Sequence, residues 1–165
     1  MQLDNDNDDE ITIEHIITRM IDAWNRGDGT EFAASFSEGA DFIAFEGTHL
    51  KGRKEIREFH QRLFDRELKG TRLEGAPKFV HFLGPALAVM HAWGTTVLNG
   101  QANASPSRDS MQLFVVAKRE GEWLCDAMLN ARRITMEQQL FQDEFATLSA
   151  GDQREVTHRV VSLRH

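Results

Sequence analysis

The fold is decided by residues 111–133, with the sequence MQLFVVAKREGEWLCDAMLNARR. Two runs rich in Val, Phe, Leu and Trp flank the polar segment 119–122, which contains one glycine. Short apolar runs on either side of such a turn predict an antiparallel β-hairpin. The first run is apolar on both faces, through Met111, Leu113 and Val115 on one side and Phe114 and Val116 on the other. This pattern is typical of a strand in the middle of a covered sheet.

The segments before the hairpin predict helices followed by more strands. An apolar stripe that begins at Ile11 and stops at Gly27 predicts an amphipathic helix, and Thr30 is a candidate cap for a second, short helix. We then expect a strand over 41–45, a turn over 47–52, a helix over about 53–68, and strands over 71–83 and 86–98. Helices grouped before a run of strands indicate an α+β fold, here a cone-shaped, curved antiparallel sheet covered by N-terminal helices. The interior of such a cone suits a small ligand.

Length and charge limit the class of protein. The chain has 165 residues, 41% of them apolar, which predicts one globular domain with a core. Its net charge of −7 argues against nucleic-acid binding, because phosphate contacts need clustered Lys and Arg. No apolar run approaches the roughly 20 residues that span a bilayer, so we expect no membrane partner. With one cysteine, Cys125, and no basic, apolar leader, we expect a cytoplasmic protein.

Three regions follow from these patterns. Residues 1–10 are acidic and are expected to be disordered. Residues 11–133 form the predicted domain. Residues 134–165 form a C-terminal extension that contains a helical apolar stripe, made of Leu140, Phe141, Phe145 and Leu148.

Several segments resemble one known family. The segment Ala23-Trp24-Asn25-Arg26-Gly27-Asp28 is similar to the opening of SnoaL-like proteins in the nuclear transport factor 2-like superfamily. Gly52-Arg53-Lys54-Glu55-Ile56, then Phe59-His60-x-x-Leu63-Phe64, and finally Asn130-Ala131-Arg132 resemble its SgcJ/EcaC branch. The resemblance implies a cone-shaped α+β barrel that frequently forms a homodimer through the outer sheet face.

The resemblance leaves function open. The superfamily includes isomerases, dehydratases, cyclases and proteins with only binding or assembly roles. Ketosteroid isomerase relatives use a strand carboxylate and a helix tyrosine, but Ala44 stands near the carboxylate position and the chain has no tyrosine. That mechanism is therefore not carried over. No dinucleotide fingerprint, flavin motif or metal motif is present in the sequence, so no cofactor is expected.

The candidate catalytic groups are His91 and Asp126. His91 alternates with Leu87, Val89 and Trp93 on one strand face, where a lone histidine is either a structural residue or a pocket base. Asp126 alternates with apolar residues on the next hairpin, where burial would raise a carboxyl pKa toward acid–base use. The alternative for Asp126 is an ion pair with Arg132 or another cation.

The candidate ligand-binding groups are the residues predicted to form the walls of the cone. They are Trp24, Phe36, Phe59, His60, Trp93 and Asn130. If the strand faces are the concave ones, His91, Asp126 and Asn130 converge with His60 on one polar spot inside an apolar cavity. The seven histidines show no H-E-x-x-H motif or His-x-His pair, so a metal site is not predicted.

Two functions remain open from the sequence. The first is a SnoaL-like pocket protein that binds a small apolar or aromatic ligand or catalyses proton transfer on it. The second is a non-catalytic assembly or binding domain. In both cases we expect a homodimer packed through the sheet face opposite the helices, because helices cover only one of two apolar faces.

Overall fold

The computed structural model describes residues 2–134, 136–149 and 151–154. The chain divides into two compact units, Met1–Arg133 and Ile134–His165. In the second unit, helix α4 spans Met136–Thr147. The described residues exclude part of the predicted extension, namely residues 135, 150 and 155–165. They also exclude the side chain of Phe141, which belongs to its apolar stripe.

Three helices belong to the first unit: α1 (Gln2–Arg26), α2 (Gly29–Ala34) and α3 (Gly52–Asp65). Helix α1 begins at Gln2, so residues 2–10, expected to be disordered, are helical instead. Helix α2 is capped by Asp28 rather than by Thr30, because the Asp28 carboxylate accepts hydrogen bonds from the first free N–H groups. A 3₁₀ turn, Pro106–Arg108, interrupts the long loop after β4.

Six strands form one curved sheet in the order β2-β1-β6-β5-β4-β3. Their bounds are β1 (Phe36–Ile43), β2 (His49–Lys51), β3 (Arg72–Gly84), β4 (Leu87–Val97), β5 (Ser110–Arg119) and β6 (Glu122–Arg132). The predicted α+β class and the hairpin of β5 and β6 are confirmed. One pairing differs from the antiparallel prediction, because β1 runs parallel to β6. The predicted turn at 47–52 contains β2.

The two sheet faces differ in the size and burial of their side chains. The inner face, which packs against the helices, is fully buried along the central strands, through Ala88, Met90, Ala92, Phe114 and Val116. The outer face carries large apolar side chains that are 42–52% exposed, namely Met111, Leu113, Leu129 and Phe79. Helices thus cover only one of the two apolar faces.

A β-bulge in β6 changes which way its side chains point. Val115 pairs with Ala127 and the next residue, Val116, pairs with Cys125, so Asp126 is an extra residue without a partner on β5. An extra residue reverses the alternation of side chains beyond it. Trp123 and Cys125 therefore share the inner face with Met128 and Asn130, whereas unbroken alternation would put these two pairs on opposite faces.

Candidate functional site

A cavity of about 140 Å³ lies between the inner sheet face and the helices. Most of its wall is apolar, contributed by Ile17, Met20, Ile21, Trp24, Phe32, Phe42, Phe114 and Met128. Polar groups gather near the 3₁₀ turn and the adjoining strand ends, namely Ser107, Arg108, Asp109, Ser110, Gln112, Asn130 and Arg132. We call this second group the polar mouth.

His60 is the ionisable group in the apolar part of the wall. Helix α3 turns it inward because Ile56, His60 and Phe64 are spaced four residues apart and share the buried face. The imidazole is 4% exposed and stacks on Phe32, with ring centroids 4.1 Å apart. It is thus held in an aromatic setting that excludes water.

Hydrogen bonding defines the tautomer of His60. Its Nδ1 lies 2.8 Å from the Ile56 carbonyl oxygen, and because a carbonyl only accepts, Nδ1 carries the proton. Nε2 is then a bare acceptor, and it has no hydrogen-bond partner among the described residues. Burial lowers the pKa of His60 to about 4, so the ring is neutral near pH 7. The site therefore presents one neutral acceptor to whatever occupies the cavity.

A small amide network forms the inner edge of the polar mouth. Gln112 Nε2 donates to Ser110 Oγ at 2.7 Å and to Asn130 Oδ1 at 3.2 Å. Ser110 Oγ in turn donates to the Gly94 carbonyl at 3.1 Å. Within the described part of the chain, Gln112 Oε1 and Asn130 Nδ2 have no further partner. The mouth thus offers a ligand one amide acceptor and one amide donor.

Two guanidinium groups also border the mouth. Arg132 lies over the Phe45 ring, 4.9 Å from its centroid, and Arg108 ends the 3₁₀ turn. Neither has an ion pair among the described residues. Glu74, a neighbouring carboxylate, is bound by Arg72 at 2.7 Å. The remaining charged side chain of the mouth is Asp109.

The structure does not bring the candidate catalytic pair together. His91 lies on the outer face, where its ring stacks on Phe79 with centroids 5.2 Å apart. Asp126 lies in the bulge and forms an ion pair with Arg119. Neither side chain reaches the cavity, so the predicted convergence of His91, Asp126 and Asn130 with His60 is wrong. Simple alternation failed for Asp126 because of the extra residue, and for His91 because the helices cover the other face.

The predicted wall residues divide into two groups. Trp24, His60 and Asn130 line the cavity, and Trp24 Nε1 is fixed by a 3.1 Å hydrogen bond to Thr71 Oγ1. Trp93 borders the cavity beside Gly94, but it alternates with His91 on the outer face of β4, where Lys78 lies 5.7 Å from the centroid of its ring. Phe36 is fully buried in the core and Phe59 packs at its edge, and neither lines the cavity. Whether the first group binds a ligand stays a prediction.

Sequence reasoning missed Gln112, which lies at the centre of the amide network. Its signal is an isolated polar residue on the face that Phe114 and Val116 otherwise make apolar. A buried polar side chain in such a row needs a partner, and its network marks the cavity. Among the described residues, no cluster of three or more His, Cys, Asp or Glu side chains could hold a metal ion. No helix in that part of the chain is long and apolar enough to cross a membrane.

The fold defines the class: this is a nuclear transport factor 2-like, or cystatin-like, α+β protein. The model of the SnoaL-like domain matches residues 17–123, and the chain belongs to that family.

Solved structures share this fold. A cystatin-like domain of unknown function from Nostoc punctiforme is 54% identical, with a TM-score of 0.83 over 92% of this chain and 94% of that one. A protein assigned as a scytalone dehydratase from Novosphingobium aromaticivorans is 14% identical, with a TM-score of 0.66 over 80% and 89%. A ketosteroid isomerase-like protein from Erwinia carotovora is 16% identical, with a TM-score of 0.63 over 78% and 99%. The last two likenesses show the fold alone. No protein of curated function matches the chain.

Proposed function

We propose that this SnoaL-like protein binds a small aromatic or apolar ligand in the inner cavity. The supporting observation is a cavity of about 140 Å³ with a mostly apolar wall, in which His60 Nε2 is an unpartnered acceptor at the apolar end. An apolar cavity of about 150 Å³ is known to hold a benzene molecule, so the space suits a single ring. A multi-ring ligand would require the walls to move.

Proton transfer is the less favoured form of this function. The dehydratase and isomerase names of the two distant neighbours suggest such a step, and in the apolar part of the cavity His60 is the group that would carry it. An efficient general base has a pKa near the working pH, whereas the pKa of His60 is about 4. At neutral pH His60 therefore serves better as a hydrogen-bond acceptor than as a base.

Thermal unfolding with toluene as a probe tests the binding function. A ligand at a hundred times its Kd stabilises the folded state by about 2.7 kcal/mol. For a chain of this size each kcal/mol raises Tm by about 2–4 °C, so we expect a saturable rise of roughly 5–10 °C. No rise with toluene would contradict the proposal.

A blocked cavity provides the matched control. Gly94 lies on the inner wall, and a Cβ added there would meet its neighbours at 3.5 Å or more, which is ordinary contact. Gly94→Leu should fill the chamber and abolish the toluene shift. Gly84→Leu, where an added Cβ meets nothing within 4 Å, should leave the shift unchanged. Equal shifts in both variants would place toluene elsewhere.

Assembly is the second function that a specific observation favours. The outer face exposes Phe79, Met111, Leu113 and Leu129, and apolar patches of this kind mark interaction sites. We propose that a second copy of the chain covers this face.

Light scattering tests the dimer. The unmodified protein should behave as a dimer at micromolar concentration, and Leu113→Glu should release monomers by placing a charge in the interface. Ile11→Glu alters an equally exposed apolar residue on α1 and should remain dimeric. A monomeric wild-type protein would exclude this proposal without affecting ligand binding.

Two narrower assignments also remain proposals. Membership of the SgcJ/EcaC branch rests on the segments around Gly52 and His60 that resemble it. A cytoplasmic location, without nucleic-acid or membrane partners, rests on the acidic composition and the single cysteine.

A further inference from the structure

We propose that the ligand is a single-ring phenol that carries a carboxylate, with its hydroxyl at His60 and its carboxylate at Arg108 and Arg132. This inference rests on the proposed function, because it names the class of ligand for the same cavity. It is built from the two ends of the chamber, whose chemistries differ.

The buried end requires a hydrogen-bond donor. His60 Nε2 is a bare acceptor because the Ile56 carbonyl holds the proton on Nδ1. An acceptor that faces a water-poor chamber loses free energy unless something donates to it, and a phenol hydroxyl is such a donor at pH 7. Phe32, stacked on the imidazole, and Phe42, which meets it edge to face, both line the cavity and offer apolar contact to the attached ring.

The open end requires an acceptor, and its charge favours an anion. Arg108 and Arg132 have no ion pair among the described residues, whereas the Glu74 carboxylate is already held by Arg72. Asp109 contributes one negative charge, which leaves the mouth with a net positive charge. Asn130 Nδ2 adds an amide donor beside these cations. A planar carboxylate matches a guanidinium in shape and charge.

Four related probes separate the two contacts. Toluene has neither group, p-cresol adds the hydroxyl, benzoate replaces the methyl group with a carboxylate, and 4-hydroxybenzoate has both. The Kd of each is measured by calorimetry at pH 7 with the full chain. We expect p-cresol to bind roughly three- to tenfold more tightly than toluene, as one hydrogen bond provides. Benzoate should bind roughly two- to fivefold more tightly than toluene at low salt, and this difference in affinity should disappear in 1 M NaCl.

Variants assign each gain to its residue. His60→Phe keeps a flat ring of similar size, and it should remove the advantage of p-cresol over toluene while toluene still binds. Arg108→Gln combined with Arg132→Gln should remove only the advantage of the carboxylate. Arg19→Gln, an exposed arginine on α1, tests for a general effect of charge and should change neither ratio.

The possible outcomes distinguish this inference from the function on which it rests. If toluene binds but either the hydroxyl or the carboxylate fails to improve affinity, the phenol-acid inference is wrong and the aromatic pocket stands. The inference also fails if either gain survives in its variant. If no probe binds the unmodified protein, both the inference and the proposed function are wrong.

Discussion

Acidification should destabilise this protein mainly through His60. The residue is neutral in the folded state, where burial lowers its pKa from 6.5 to about 4. Below pH 6.5 the unfolded chain binds a proton that the folded chain does not. The contribution of neutral His60 to the free energy of unfolding is therefore fully present above pH 6.5 and is lost as the pH falls toward 4.

The size of this loss follows from the two pKa values. One pKa unit corresponds to about 1.4 kcal/mol, so the unfolding free energy should fall by about 3 kcal/mol between pH 7 and pH 4 from this residue alone. This is a large part of the 5–15 kcal/mol that is typical of a folded domain. Asp41, whose pKa is held below its usual value by Lys51 and His49, contributes in the same direction only at lower pH.

Urea unfolding at several pH values between 7 and 4 measures the effect. His60→Phe lacks the titrating group, so its stability should change by about 3 kcal/mol less than that of the wild type over this range. His15→Gln removes an exposed histidine and should retain the wild-type slope. If wild type and His60→Phe lose the same free energy between pH 7 and pH 4, His60 is not held neutral by burial, and the argument for a bare acceptor at Nε2 fails.

Three further predictions concern positions away from the cavity. Gly52→Ala should lower the free energy of unfolding, measured in urea, by at least about 1 kcal/mol. Gly52 has a φ of +82°, and an added Cβ would lie 2.7 Å from the Glu38 carbonyl oxygen. Gly39→Ala, where an added Cβ meets nothing within 4 Å, should leave the free energy of unfolding nearly unchanged. Asp126→Asn should change the unfolding free energy by no more than about 1 kcal/mol and leave probe affinity unchanged, since its partly exposed ion pair lies outside the cavity; a tenfold loss of affinity would contradict this placement. Cys125, whose thiol pKa is raised by burial, should react with a thiol reagent only after urea unfolds the chain, and rapid labelling of the native protein would refute this.

The elements of the fold could be read from the sequence because they are local. Alternation in residues 111–117 and the turn near Gly121 specify β5 and β6, and helical spacing specifies α1 and α3. The parallel pairing of β1 with β6 could not be read, since it joins residues far apart in the chain. No local pattern records which distant strand becomes a neighbour.

The site was harder to predict than the fold. Along β4 the alternation correctly put His91 with Leu87 and Trp93, but both faces of this strand are apolar. The helices pack on the face with the small residues, Ala88 and Ala92, because these allow close approach. The bulge at Asp126 is likewise invisible to a rule of two-residue alternation.

The parallel contact between β1 and β6 also affects how the chain folds. Phe36 and Cys125 are paired in the sheet, yet β3, β4 and β5 all lie between them in sequence. Closing so long a loop is slow compared with forming a hairpin from two adjacent strands, and sheets with many distant pairings fold slowly. During synthesis α1 and β1 leave the ribosome well before β6 is made. Their apolar side chains therefore remain exposed until β6 can pair with β1. We therefore expect chains truncated before Glu122 to aggregate and the nascent chain to need chaperones until β6 has been made.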